Sequence, residues 1–135
     1  MTKTQRLFII DAMALAFRSF YALGRSSLAT SQGIPTGAIY GAAMFINKLI
    51  AEHHPDFLVA VTDTDKPTFR HEMYKDYKAT RDKMPTDLGQ QIPLIFELLE
   101  HYKIPLIALD GVEADDVIAT IAKTWAGSDL DAYIV

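Results

Sequence analysis

At 135 residues, half of them hydrophobic, the chain can build one substantial core, and its length and composition exclude general disorder. It has no cysteine, which excludes disulfides and thiolate metal sites and favours a cytoplasmic home. The formal net charge of −4 argues at first against a nucleic-acid partner, but six Lys/Arg against three acids make Lys66–Lys83 locally basic, on an acidic body.

Leu7-Phe8-Ile9-Ile10 is a short apolar run ending in Asp11, and predicts a buried parallel strand. It is too short for a signal-peptide core, and no later run could span a membrane. Ala12 to Leu23 predicts a helix, and Ser26 to Pro35, rich in Ser, Thr and Gly, a loop. A second helix is expected from about Thr36, where Ile39, Ala43, Ile46, Leu49 and Ile50 keep helical spacing until Pro55. Phe57–Val61 predicts a second buried strand, ending at Thr62-Asp63. The polar, basic stretch Thr64–Leu88 shows little core-forming pattern, and insertions of that length tend to be functional. Ile92, Ile95, Phe96, Leu99 and Tyr102 then mark an amphipathic helix, and Ile104–Leu109 a third strand ending at Asp110. Glu113–Trp125 predicts a helix and Asp131–Val135 a fourth strand. This alternation implies an α/β fold, a parallel β-sheet with helices on both faces, in a single domain over residues 1–135.

Three strands end in an acid: Asp11, Asp63 and Asp110. Ligands of open parallel sheets bind beyond the carboxyl ends of the strands, which lie only about 5 Å apart, so these acids should converge. Glu113, Asp115 and Asp116 add to them at a helix start. Taken singly, Asp11 or Asp63 could instead cap the following helix. One helix start needs one cap and not three acids, so Glu113-Ala114-Asp115-Asp116 favours a metal site. Oxygen ligands without His or Cys suit Mg²⁺, with Mn²⁺ as substitute, rather than Zn²⁺.

In the basic stretch, Arg70, Tyr74, Tyr77, Lys78 and Arg81 stand three or four residues apart, with Lys75 among them, so that one helical face could neutralise phosphates and stack unpaired bases. A solvated surface helix would have the same composition. Arg18, two turns after Asp11, could touch phosphate or form a surface salt bridge. Gly33-Ile34-Pro35-Thr36-Gly37 reads as a turn and helix start, or as backbone N–H groups offered to a phosphate. His53, His54, His71 and His101 lack metal-ligand spacing and are expected at the surface.

Phe8-Ile9-Ile10-Asp11, Arg18, Thr36-Gly37-Ala38-Ile39-Tyr40-Gly41, Thr68-Phe69-Arg70-His71-Glu72, Tyr77-Lys78-Ala79-Thr80-Arg81 and Gly111-Val112-Glu113-Ala114-Asp115-Asp116-Val117 follow one another as in a known family. The chain resembles the N-terminal 5′–3′ exonuclease domain of bacterial DNA polymerases I, in the flap endonuclease group. The resemblance implies a PIN-like fold with an arch over Thr64–Leu88, and two-metal hydrolysis of DNA carrying a 5′ flap, a nick or a free 5′ end, in replication and repair. It implies Asp11, Asp63, Glu113, Asp115 and Asp116 as metal-site acids, Lys78 and Arg81 as catalytic cations at the scissile phosphate, and Arg18, Arg70, Lys75 and Tyr77 as DNA contacts. Two departures stand out: Ala12 follows the first acid where the family usually has Gly, and Thr62-Asp63-Thr64 replaces a common Phe-Asp-Ala. The family continues past the strand at Val135 with two more aspartates and a helix–hairpin–helix clamp, so the chain is expected to be a piece of a longer protein, with further nuclease segments and, in some parents, a polymerase domain. The alternatives are a DNA-binding module without catalysis and a PIN-type ribonuclease. A haloacid-dehalogenase-type phosphatase is excluded, because Met13 stands where it needs a second Asp.

Overall fold

A computed structural model of the chain describes residues 3–23, 27–64, 73 and 84–135. The described elements are β1 (Gln5–Asp11), α1 (Ala12–Leu23), α2 (Gly37–His53), β2 (Phe57–Val61), α3 (Thr86–His101), β3 (Leu106–Ile107), α4 (Ala114–Trp125) and β4 (Leu130–Ile134). The four described strands pair in parallel, in the order β3-β2-β1-β4.

β1 is apolar on both faces because it lies inside the sheet and is covered on both sides. Phe8 and Ile10 pack with α1, α2 and α3, whereas Leu7 and Ile9 pack on the other face with Val117 and Ile118 of α4. Ile9 and Ile10 are wholly buried, each contributing roughly 1.5–3 kcal/mol of transfer free energy. In α1 the buried positions are Ala12, Leu15, Ala16 and Ser19, and in α2 Ala38, Ala42, Ile46 and Leu49, both at helical spacing. α2 ends where His54 turns left-handed (φ 46°) and donates its N–H to the Ile50 carbonyl, and Pro55 prevents continuation.

The α1–α2 contact is close because of one glycine. A Cβ on Gly41 would lie 2.9 Å from Ser19 Cβ and 3.3 Å from Leu23 Cδ1. Gly41→Ala should therefore lower stability by about 1 kcal/mol or more, since overpacking outweighs the helix-propensity gain of alanine. Urea unfolding checks this; an alanine variant more stable than the parent would show that the helices separate at little cost.

Three boundaries differ from the sequence expectation. α3 begins at Thr86, inside the stretch Thr64–Leu88, and Leu88 is wholly buried. The polar residues Asp87, Gly89, Gln90 and Gln91 mask the stripe Leu88, Gln91, Ile95, Leu99 that faces the core. The third strand is only Leu106–Ile107, not Ile104–Leu109. As an edge strand β3 pairs with β2 alone, and Ile104 instead closes α3, donating its N–H to the Leu99 carbonyl after the left-handed Lys103 (φ 58°). The fourth strand is Leu130–Ile134, one residue earlier than expected.

Candidate metal centre

Asp11 and Asp63 lie at the same end of neighbouring strands. Asp11 is paired in register with Val61, and Asp63 follows two residues later. Each carboxylate closes a helix. Asp11 Oδ1 accepts the Ala14 N–H at 3.1 Å at the start of α1, and Asp63 Oδ1 accepts the Ala114 N–H at 2.8 Å at the start of α4. Asp11 thus caps the helix that follows it, whereas Asp63 serves not the next helix but the later α4. The Asp63 bond is long-range, and fastens the end of β2 to the Glu113–Asp116 segment.

That segment is reached through a tight turn after β3. Gly111 adopts φ 80°, which a residue without a Cβ takes at little cost, and Val112 donates its N–H to the Leu109 carbonyl at 3.3 Å. Glu113 is extended, precedes the first residue of α4 and is buried at 6% exposure. Asp115 is exposed and Asp116 half-buried in the first turn, where carboxylates gain from the helix dipole. Asp110 is exposed in the turn.

The acids around Asp63 and Glu113 offer only hard oxygen donors, and a buried carboxylate such as Glu113 is the kind of group that a bound cation stabilises. The residues therefore suit a divalent cation in chemistry. Among the described residues, no three Asp, Glu or His side chains are grouped so as to hold a metal ion.

Arg18 is exposed on α1, with its guanidinium 5.4 Å from the centre of the Phe45 ring on α2. Arg70, Lys75, Tyr77, Lys78 and Arg81 lie outside the described residues, as does His71. His53, His54 and His101 are exposed, as expected. The α2 start is a turn and helix start rather than an open phosphate cradle, since its Ala38 and Ile39 N–H groups are taken. Gln91 Oε1 accepts from Ala38 N at 2.8 Å and Ile39 N at 3.2 Å, and Gln91 Nε2 donates to the Asp87 carbonyl at 3.0 Å.

Two residues escaped the sequence reading. Gln91 is a polar position in the apolar stripe of α3, and that break was its only signal. Thr62 continues the inward alternation of Leu58 and Ala60 and is 4% exposed; its Oγ1 is buried and has no hydrogen-bond partner. Its signal was its place one residue before Asp63.

Residues 6–135 match the family model described as 5′-3′ exonuclease, N-terminal resolvase-like domain. The chain is 44% identical over 117 residues to DNA polymerase I of Geobacillus stearothermophilus, covering 87% of this chain and 13% of that protein. It is 45% identical over 120 residues to a 5′-3′ exonuclease of Aquifex aeolicus, covering 89% of this chain and 41% of that one. The chain thus spans less than half the length of these curated relatives. Among solved structures, the fold is similar to that of the bacteriophage T5 flap endonuclease, once crystallised with metal ions (TM-score 0.68) and once with DNA and metal ions (TM-score 0.62). Each is 21% identical, with 96% of this chain and 55% of that chain covered. With the parallel sheet, the capping acids and the matched residues taken together, this chain belongs to the family of 5′–3′ exonuclease N-terminal, resolvase-like domains.

Proposed function

We propose that the chain is the acid-bearing part of a divalent-metal-dependent nuclease that hydrolyses phosphodiester bonds in DNA with a 5′ flap, a nick or a free 5′ end. The observation that carries the reading is the 2.8 Å bond between Asp63 Oδ1 and Ala114 N–H, which ties the β2 end to the helix start bearing Glu113, Asp115 and Asp116. Asp11, on the adjacent strand, completes the set of acids that would hold Mg²⁺, or Mn²⁺ in its place, two ions in the complete enzyme. Bound cations would supply charge neutralisation at the phosphate and a more acidic water. In support, β1 and β2 carry Asp11 and Asp63 at the same sheet end, and Asp63 is bonded to the start of α4. From their matched positions, Lys78 and Arg81 offset charge on the phosphoryl oxygens, and Arg18, Arg70, Lys75 and Tyr77 hold the strand.

An acidic body carrying one basic stretch supports this division of roles between acids for cations and cations for phosphates. The DNA polymerase I relatives, of which the chain spans 13–14%, support a parent protein in which further nuclease and polymerase segments follow. No helix among the described residues is long and apolar enough to cross a membrane, in keeping with action on cytoplasmic DNA.

DNA binding without cleavage is the second reading, favoured by the absence of a three-acid group among the described residues. Cleavage of a 5′-flap DNA by this chain with Mg²⁺ or Mn²⁺, against Asp115→Asn, separates the two. Asp115 is exposed, so the variant should fold, and cleavage should fall roughly a hundredfold. Equal cleavage by both proteins would remove Asp115 from the site. Flap binding with no cleavage by either would support the binding module, and faster cleavage of RNA than of DNA would move the activity to the PIN-type ribonucleases.

A further inference from the structure

Gly41 lets α2 lie close against α1, since a Cβ there would come within 2.9 Å of Ser19 Cβ. Phe45 stands one turn further along α2, and Arg18 stands next to Ser19 on α1. The close approach brings the Arg18 guanidinium to 5.4 Å from the centre of the Phe45 ring, within reach of a cation–π contact. The wholly or nearly buried apolar positions of α2 are Ala38, Ala42, Ile46 and Leu49, so Phe45 lies on the flank of that stripe. It is half-buried: it packs against the core and also lines a groove between the two helices, together with Leu15, Ser19, Met44 and the exposed Arg18.

Among the described residues no carboxylate pairs with Arg18, so the surface salt bridge open to it in the sequence is not formed there. The difference matters because a guanidinium uses its face and its edge differently. Its flat face is attracted to an aromatic ring, whereas its N–H donors lie in the plane and point outward from the edge. A carboxylate partner would occupy those donors. A ring that holds the face leaves them free for the paired oxygens of a phosphate, which arginine matches bidentately. An arginine already confined over a ring also loses less side-chain freedom on binding than one that rotates freely.

We propose that Phe45 is a positioning residue for Arg18, its ring holding the guanidinium face so that the N–H edge meets a backbone phosphate of bound DNA. The proposal rests on the reading that Arg18 contacts DNA, and deepens it. Arg18 stands seven residues after Asp11, about 10 Å along α1. The phosphate it meets is therefore not the one at the acids but a neighbour along the strand, so Phe45 acts on binding and not on the cleavage step.

The test is binding of a fluorescent 5′-flap DNA, followed by anisotropy over a series of salt concentrations, with the urea midpoint of each protein measured alongside. The proteins are the parent, Phe45→Leu, Arg18→Ala, the double variant and Phe45→Tyr. Phe45→Leu should weaken binding about two- to fivefold in the parent and change nothing when Arg18 is already alanine. Arg18→Ala should weaken binding and make the salt slope shallower by about one, whereas Phe45→Leu keeps the charge and should leave the slope as it is. Phe45→Tyr keeps a ring face and should bind like the parent. Parent-like binding by Phe45→Leu would overturn the positioning role. So would a loss that is equal with and without Arg18, or one that tyrosine shares, because either would leave Phe45 only the packing of the two helices. Parent-like binding by Arg18→Ala would overturn the proposal and leave the reading of the acids standing. Absence of flap binding by the parent would overturn the DNA reading and the proposal with it.

Discussion

Asp63→Ala is expected to reduce metal-dependent cleavage of 5′-flap DNA by roughly a hundredfold or more, and also to destabilise the protein by about 1 kcal/mol. The two losses have separate causes. Asp63 Oδ1 accepts the Ala114 N–H at 2.8 Å, so alanine leaves the start of α4 without its side-chain acceptor; Glu113, at the cap position itself, makes no side-chain cap bond. The same substitution removes a negative oxygen from the acids that would hold the cation. Asp63→Asn separates the effects, because its amide oxygen still caps Ala114 while the charge is gone. It should unfold at the parent's urea midpoint and still lose most of the cleavage. Both quantities are read on one preparation, as kcat/KM on flap DNA and as the urea midpoint. If asparagine retained full cleavage, Asp63 would act only as a cap, and the metal role would pass to the acids of α4.

The second large effect falls on stability alone. Gln91→Leu should cost about 2–4 kcal/mol, a large share of the total for a domain of this size. Gln91 is 1% exposed, and its Oε1 accepts both the Ala38 and Ile39 N–H groups; Thr36, at the cap position of α2, makes no side-chain bond. Leucine would bury two donors with no acceptor, and water has little access, since Ala38 is wholly buried. Gln91→Glu keeps an accepting oxygen at the positive end of α2 and should lose less. Denaturant unfolding gives the magnitude, and faster hydrogen exchange at Ala38 and Ile39 gives the location. A leucine variant within about 0.5 kcal/mol of the parent would mean that α2 finds another cap.

The position of Gln91 also shows why local patterns fell short. It lies three residues after Leu88 and four before Ile95, so it occupies the core face of α3, yet its polarity made the start of that helix look like part of the basic stretch. Its partners are 52 and 53 residues away in sequence. Asp63 presents the same difficulty: capping and metal binding use the same oxygens, and only the position of Ala114, 51 residues on, shows that the first is realised. The shortening of the third strand to Leu106–Ile107 has a similar origin, since an apolar run does not reveal whether one neighbour or two will pair with it.

The sequence by itself determined the strand–helix alternation, the parallel sheet, the run of buried residues in β1, Asp11 and Asp63 at the ends of the first two strands, and the family, but not Asp110, which lies in a turn beyond the short third strand. The elements follow from side-chain periodicity, from turn-forming Gly and Pro, and from the short range over which strands and helices are specified, and the family from the order of its motifs. Only the tertiary structure decided which acid meets which helix, that Gln91 closes α2, that β3 is an edge, and that the Thr62 hydroxyl is buried. Each of these depends on residues brought together by packing from about fifty positions apart or from different layers of the fold, and no local pattern encodes such distances.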